Sequence, residues 1–324
     1  NDRPRMSSKH DKSNRIPVGV SSCLLGQPVR FDGGHKFHAY INRRLVDYFE
    51  FRPVCPEVAI GLGTPRPPIR LVNTGDGVRV RGVKDPAQDV TEQLTDYGRQ
   101  MAGRLDDICG YILKSRSPSC GMERVKTYGE TGMPGRSDGI GAYAGAFMEA
   151  RPNLPVEEEG RLNDPDLRDN FIERVFTWFR WQLLKQHGIT PATLVDFHSR
   201  QKLSVMAHNQ AAYRRLGQLV ASAGKRGFDK RVLAYEDELM TAMKRIATRR
   251  SHSNVLQHLQ GYFSRELSGG DRAELSGLIE DYRTGLVPLA VPLTLIRHHL
   301  RHFPNDWALQ QTYLEPYPRE LMQH

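Results

Sequence analysis

Cysteine is scarce: the chain of 324 residues carries four, Cys23, Cys55, Cys109 and Cys120. So thin a spread excludes the disulfide framework of a small secreted domain. Long apolar runs are missing too, as is the apolar stretch of a secretory leader. The reading is therefore a soluble, cytoplasmic chain with reduced thiols and no membrane partner. The glycines between Gly61 and Gly77 lack the spacing of a phosphate-binding fingerprint. Acidic residues fall short of basic ones, 37 against 46, for a formal charge of +9. That excess favours a nucleotide or RNA, although most surface cations merely solvate the chain.

What is present points to two domains. A chain of this length is near the upper size for a single core, and 39% hydrophobic with 26% charged residues is a globular balance. Residues 1–15 are polar and basic without apolar periodicity and read as a flexible tail. Residues 16–155 alternate short apolar runs with helical patterns, which predicts an α/β domain with a small, Rossmann-like parallel or mixed sheet. From residue 156 the periodicity turns helical, predicting an all-helical domain over 156–324.

Three cysteines each follow a strand candidate. Val18 to Val20 leads into Ser21, Ser22 and Cys23; Phe51 to Val54 leads into Cys55, Pro56 and Glu57; Ile112 and Leu113 lead into the loop that ends at Cys120. If the strands are parallel neighbours, the three thiols emerge at one carboxyl edge, where open α/β sheets bind ligands. Between them, Ala39 to Phe49 reads as a helix with Ile41, Leu45, Val46 and Phe49 on its apolar face. Ile69–Val72 and Val78–Val80 read as a hairpin, and Asp89-Val90-Thr91 opens a helix ending near Leu105. Cys109 falls inside the run Ile108–Leu113, taken as a central strand, and reads as a core cysteine. Gly132 to Arg136 reads as a mobile loop able to approach a substrate, and Gly139 to Met148 as a closely packed helix.

Three thiolates can hold a soft metal. Zinc completed by His35 or His38 is one option, and a [4Fe-4S] cluster with three cysteine ligands and an open fourth iron position is another; spacing does not choose between them. Glu57 is a candidate proton-transfer group beside them or, alternatively, a helix-start residue. Ser22, Ser117 and Ser119 can donate hydrogen bonds or cap loops. Lys36, Arg66, Lys114 and Arg116 can attract a phosphate or form ion pairs.

Ser21-Ser22-Cys23-Leu24-Leu25-Gly26, Val29-Arg30-Phe31-Asp32-Gly33, Cys55-Pro56-Glu57, Pro65-Arg66-Pro67, Asp89-Val90-Thr91 and Lys114 to Gly121 together resemble the thiouracil desulfidase family, over residues 16 to about 150. The resemblance implies that Cys23, Cys55 and Cys120 hold a [4Fe-4S] cluster acting as Lewis acid and sulfur acceptor, supplied by iron-sulfur assembly machinery. It also implies that Glu57 activates water; Ser22 and Ser117 are the further catalytic candidates, on their loop positions alone. A thiouracil or thiolated uridine nucleotide would lose its sulfur as sulfide, without net electron transfer. The other reading kept open is a zinc-stabilised RNA-binding or scaffold protein.

Beyond residue 156, helical patterns start around Phe171 and after Thr190-Pro191, the latter continuing to Leu216. Others cover about residues 230–246, 255–267, 273–282 and 293–302. Phe197 to Leu203 and Met206-Ala207-His208-Asn209 resemble a second, uncharacterised bacterial domain, which implies no chemistry. His198 and His208 read as packing residues. Arg200, Lys202, Arg214, Arg215, Lys225 and Arg226 form a candidate RNA-facing surface.

Overall fold

The structure, a computed structural model, describes residues 15–322. The segment expected as a tail lies outside the described residues apart from Arg15. The chain divides into two compact units, Asn1–Phe171 and Ile172–His324.

The first unit carries two four-stranded sheets. β1 (Ile16–Ser21), β2 (Phe49–Val54), β5 (Tyr111–Leu113) and β8 (Val156–Glu158) make an all-parallel sheet of order β2-β1-β5-β8. β1 lies at its centre, so both its faces are covered: Val18 and Val20 are fully buried. A continuous apolar strand of this kind suits a parallel sheet, and each such side chain contributes about 1.5–3 kcal/mol by leaving water. The second sheet is mixed, with β3 (Ile69–Thr74), β4 (Gly77–Gly82), β6 (Val125–Gly129) and β7 (Pro134–Gly139) in the order β4-β3-β6-β7. Its hairpins β3-β4 and β6-β7 are joined by parallel pairing of β3 with β6.

Helices α1 (Ala39–Arg43), α2 (Pro56–Ala59), α3 (Thr91–Arg104) and α4 (Ala142–Ala150) complete the unit. α3 and α4 approach so closely that a Cβ on Gly98 would lie 2.6 Å from the carbonyl oxygen of Tyr143. Beneath them, Tyr111 and Tyr143 share a buried hydroxyl hydrogen bond of 2.8 Å, and Phe147 stands edge-on to Tyr111.

Several expectations need correction. The helix predicted over Ala39–Phe49 stops at Arg43; a 3-10 turn follows, and Phe49 instead opens β2, because its backbone pairs with Ile16. Cys109 precedes β5 rather than lying in it, its amide donating to the Pro17 carbonyl at 2.8 Å, although its side chain is buried as expected. The supposed mobile loop Gly132–Arg136 is the turn into β7, and Gly139 ends that strand, so the final helix begins only at Ala142.

The second unit is helical. It holds most of α5 (Pro165–Gln186), then α6 (Pro191–His208), α7 (Gln210–Ala221), α8 (Phe228–Met243), α9 (Arg249–Gly261), α10 (Gly269–Thr284), α11 (Ala290–His302) and the short α12 (Asp306–Leu309). The expected continuous helix from Pro191 to Leu216 is two helices. Asn209 is extended and its side chain accepts the amides of Ala211 and Ala212, which ends α6 and caps α7. α9 begins earlier than its apolar pattern because Thr248 and Ser251 form a reciprocal cap. Val255, Leu256, Leu259, Phe263, Leu275, Ile296 and Leu300 build its core. His198 and His208 are buried packing residues: His198 meets the Tyr235 hydroxyl at 3.2 Å and His208 the Glu173 carboxylate at 3.0 Å. Among the described residues, no helix is long and apolar enough to cross a membrane.

Candidate active site

A cavity of about 300 Å³ opens at the carboxyl ends of β1, β2 and β5. Because these parallel strands are neighbours, the residues that follow each of them meet there. Cys23, Cys55 and Cys120 all line it, as do Ser22, Glu57, Arg66, Lys36, Lys114, Arg116 and Ser117. Cys109 is not among its walls.

Glu57 is held at both of its carboxylate oxygens. It sits in α2, whose start is set by Pro56 at the first helical position. Its Oε2 accepts from Arg66 Nε at 2.9 Å and Nη2 at 2.8 Å, while Oε1 accepts from the Ser119 hydroxyl at 2.8 Å. Arg66 is anchored in turn by donating Nη1 to the Gly63 carbonyl at 2.8 Å. The side chains of Glu57 and Arg66 are 14% and 4% exposed, so the pair lies largely out of water. Arg66 therefore holds the carboxylate, and Ser119, fully buried, holds its other oxygen.

The Cys120 loop is shaped by its own hydroxyls. Ser117 Oγ accepts the amides of Ser119 at 3.2 Å and Cys120 at 3.0 Å, and Ser21 Oγ accepts the Lys114 amide at 2.9 Å. Gly141 packs against this loop, where a Cβ would come within 2.5 Å of the Ser119 carbonyl. Lys114 Nζ reaches Glu159 Oε1 at 2.5 Å. Lys36 and Arg116 are exposed on the cavity rim. Glu159 escaped the sequence reasoning because the Glu157–Glu159 run was taken as the start of a new domain, whereas β8 places it beside β5.

Burial decides the state of the thiols. Desolvation pushes Cys23 up to about 11 against the pull of Lys114, raises Cys55, and raises Cys120 well above the ordinary thiol range. The thiols are thus neutral at ordinary pH. Two of them also have oxygen neighbours: Cys55 Sγ lies 3.8 Å from the Val29 carbonyl, and Cys120 hydrogen-bonds with Ser21. This corrects the expected cofactor. Among the described residues, no group of three or more cysteine, histidine, aspartate or glutamate side chains is arranged to hold a metal ion. The residues present do not fit the anticipated [4Fe-4S] centre on Cys23, Cys55 and Cys120. With it fall the open fourth iron, the Lewis-acid mechanism, the iron-sulfur-dependent activity and the supply by assembly machinery. The zinc alternative with His35 or His38 fails on the same ground.

Residues 18–159 match the 2-thiouracil desulfurase family. The chain is 33% identical to the uncharacterized protein YbbK of Bacillus subtilis (strain 168) over 151 residues, 45% of this chain and 97% of that protein. Its amino-terminal half belongs to the 2-thiouracil desulfurase family. This desulfurase-family domain is joined to a helical one: residues 202–318 match DUF1722, a family of unknown function. The chain is also 38% identical to the uncharacterized protein YbgA of Escherichia coli (strain K12) over 154 residues, 47% of this chain and 91% of YbgA. The solved [4Fe-4S]-dependent thiouracil desulfidase TudS is 29% identical, over 46% of this chain and 95% of its own, with a TM-score of 0.35.

The desulfurase-family cavity, about 300 Å³, has room for a small molecule between its three cysteines and a fixed carboxylate. Neutral thiols behave as small soft apolar groups, suited to packing against another sulfur. The rim cations favour anionic substituents.

Proposed function

We infer that the cavity removes sulfur from a thiolated pyrimidine, a free thiouracil or a thiolated uridine nucleotide, by exchange with water. Family membership supports the reaction class. The single observation that carries the reading is the placement of Glu57, clamped by Arg66 and Ser119, in one cavity with three neutral thiols. Water adds to the thiocarbonyl carbon as a carboxylate oxygen of Glu57 takes its proton. The carbon–sulfur bond then breaks as Glu57 returns that proton to sulfur, and the proton of the new hydroxyl follows to the departing hydrosulfide, leaving a carbonyl. One water is consumed and one hydrogen sulfide leaves, with no change in oxidation state. A carboxylate within hydrogen-bond reach of the water can contribute about 10²–10⁴-fold to such a step.

In this reading Arg66 and Ser119 aim the carboxylate, and Ser22 and Ser117 face the substrate from the loops after β1 and β5. Lys114 offsets charge developing on sulfur, while Lys36 and Arg116 receive a nucleotide phosphate. The four cysteines are free of disulfides, which agrees with a cytoplasmic setting. An RNA-facing role for the helical unit would rest on Lys202, Arg214, Lys225 and Arg226, because Arg200 and Arg215 are paired with Asp196 and Glu238. The test is simultaneous measurement of sulfide and pyrimidine product from thiouracil and from thiouridine monophosphate with the full chain. Matched release that depends on Glu57 is expected; release no faster than from Glu57→Gln protein overturns the reading.

A further inference from the structure

The loop between β5 and β6, residues 114–124, supplies one wall of the cavity, including Lys114, Arg116, Ser117 and Cys120. It is bent at both ends in a way that side chains resist. Arg116 has φ +59° and Arg124 has φ +53°, the only non-glycine residues at positive φ among those described. Such conformations cost of order 1–3 kcal/mol each and persist only where surrounding contacts over-determine them.

The middle of the loop is held by backbone bonds from Gly141, Ala142 and Ala144, and contacts at both of its ends come from one short segment. β8 pairs with β5 so that Glu157 and Glu158 stand beside Ile112 and Leu113, and the Glu159 amide donates to the Leu113 carbonyl at 3.2 Å. The three carboxylates then reach opposite ends of the loop. Glu159 Oε2 accepts the Ser115 amide at 2.7 Å, and its Oε1 accepts the Ser115 hydroxyl at 2.9 Å together with Lys114 Nζ. Glu158 Oε1 accepts the Met122 amide at 2.8 Å. Glu157 holds Arg161 Nε at 2.6 Å, and Arg161 Nη1 donates to Glu123 at 2.9 Å. Each strained arginine thus lies next to residues tied to this segment: Ser115 before Arg116, Met122 and Glu123 before Arg124. The three glutamates are 2%, 6% and 9% exposed, an unusual burial for consecutive carboxylates that these partners help to compensate.

We propose that Glu157, Glu158 and Glu159 form a clasp that fixes both ends of the Cys120 loop, making Glu159 a positioning residue for Lys114 and for the cavity wall. The structural half stands on the hydrogen bonds alone; the catalytic half rests on the sulfur-removal reading above. Burial raises Glu158, whereas for Glu159 the upward push of burial is outweighed by the hydrogen bond and charge of Lys114. The clasp thus holds one charged and one less readily charged anchor.

The experiment uses the full chain carrying Glu159→Ala, Glu159→Gln, Glu158→Ala or, as a control on α3, Glu92→Gln, whose carboxylate pairs with Arg79. Amide hydrogen exchange is followed at Ser115 and Met122 alongside turnover. Exchange at Ser115 should rise at least tenfold in E159A and at Met122 in E158A, with β1 amides unchanged and E92Q like the parent. Unchanged exchange at those amides overturns the clasp, as does a uniform rise across the unit. In turnover, E159A should lose about 10–100-fold in kcat, as for an ångström-scale misplacement. E159Q, which keeps an oxygen for Lys114 and the Ser115 hydroxyl, should recover part of that loss. A loosened loop with parental kcat overturns the positioning role. A parent without sulfide release defeats the proposed function, while the exchange arm still decides the clasp.

Discussion

The Glu57–Arg66 pair permits a test of whether the cavity is built around a fixed carboxylate. Glu57→Gln keeps the oxygen that accepts from Ser119 but leaves Arg66, 4% exposed, without its countercharge. Breaking one side of a fully buried pair costs about 3–5 kcal/mol. Here Glu57 is 14% exposed and Arg66 retains the Gly63 carbonyl, so about 2–3 kcal/mol is expected on the same basis. Arg66→Met should cost a similar amount by stranding the carboxylate. The double variant removes both charges and should cost less than the sum, a coupling of about 1–3 kcal/mol. The assay is hydrogen exchange of β1 and β5 amides, since Trp178, Trp181 and Trp307 all lie in the second unit and their fluorescence does not report on the first. Additive single costs would refute the reasoning, because they would mean that the two groups do not depend on each other.

Thiol reactivity follows burial: at pH 8 a thiol-specific reagent should modify Cys55, the one incompletely buried cysteine, first. Cys109, pushed up to about 12 by burial, should react slowly, and simultaneous modification of all four would contradict that order. Gly141→Ala forces α4 away from the Ser119 carbonyl, so it should destabilise by about 1–3 kcal/mol as an overpacked site and lower sulfide release by disturbing Glu57; parental stability and rate would count against that packing. In the helical unit, burial lowers His198 and His252 to about 4. Between pH 6.5 and 4 the unfolded chain takes up protons that these folded histidines refuse, so stability falls as pH drops through that window, by up to about 3 kcal/mol per histidine. His208, raised by Glu173 against its burial, acts oppositely: its contribution is present below its unfolded value and lost as pH rises through the folded one. A tryptophan-fluorescence midpoint independent of pH from 6.5 to 4 would refute the balance.

Much of the site was readable because it depends on chain order. Cys23, Cys55 and Glu57 follow strands directly, so once β1 and β2 are parallel neighbours their side chains must share an edge. Cys120 is seven residues beyond Leu113, and its place depends on the loop rather than the strand. The roles of Arg66 and Ser119 were open, because an arginine that binds an anion and one that aims a carboxylate look alike in sequence. The cofactor was misjudged for a similar reason: three cysteines at three strand ends imply a shared cavity, but whether they can hold a metal depends on distances and directions that spacing does not contain. Glu157–Glu159 was placed at the start of the second domain because nothing local reveals that partners of this acidic run lie some forty residues earlier.

The sequence by itself determined the alternation of apolar runs that makes a sheet unit followed by helices, the order in which the thiols appear, and the family to which residues 18–159 belong. Local periodicity and short motifs are enough for these, since they rest on backbone preference and on which faces must leave water. Only the tertiary structure decided that Arg66 and Ser119 clamp Glu57, that the buried thiols stay neutral, and that β8 delivers three carboxylates to the Cys120 loop. Each depends on burial and on contacts between distant segments, and desolvation and hydrogen bonding act on what surrounds a group in space, not on what precedes it in the chain.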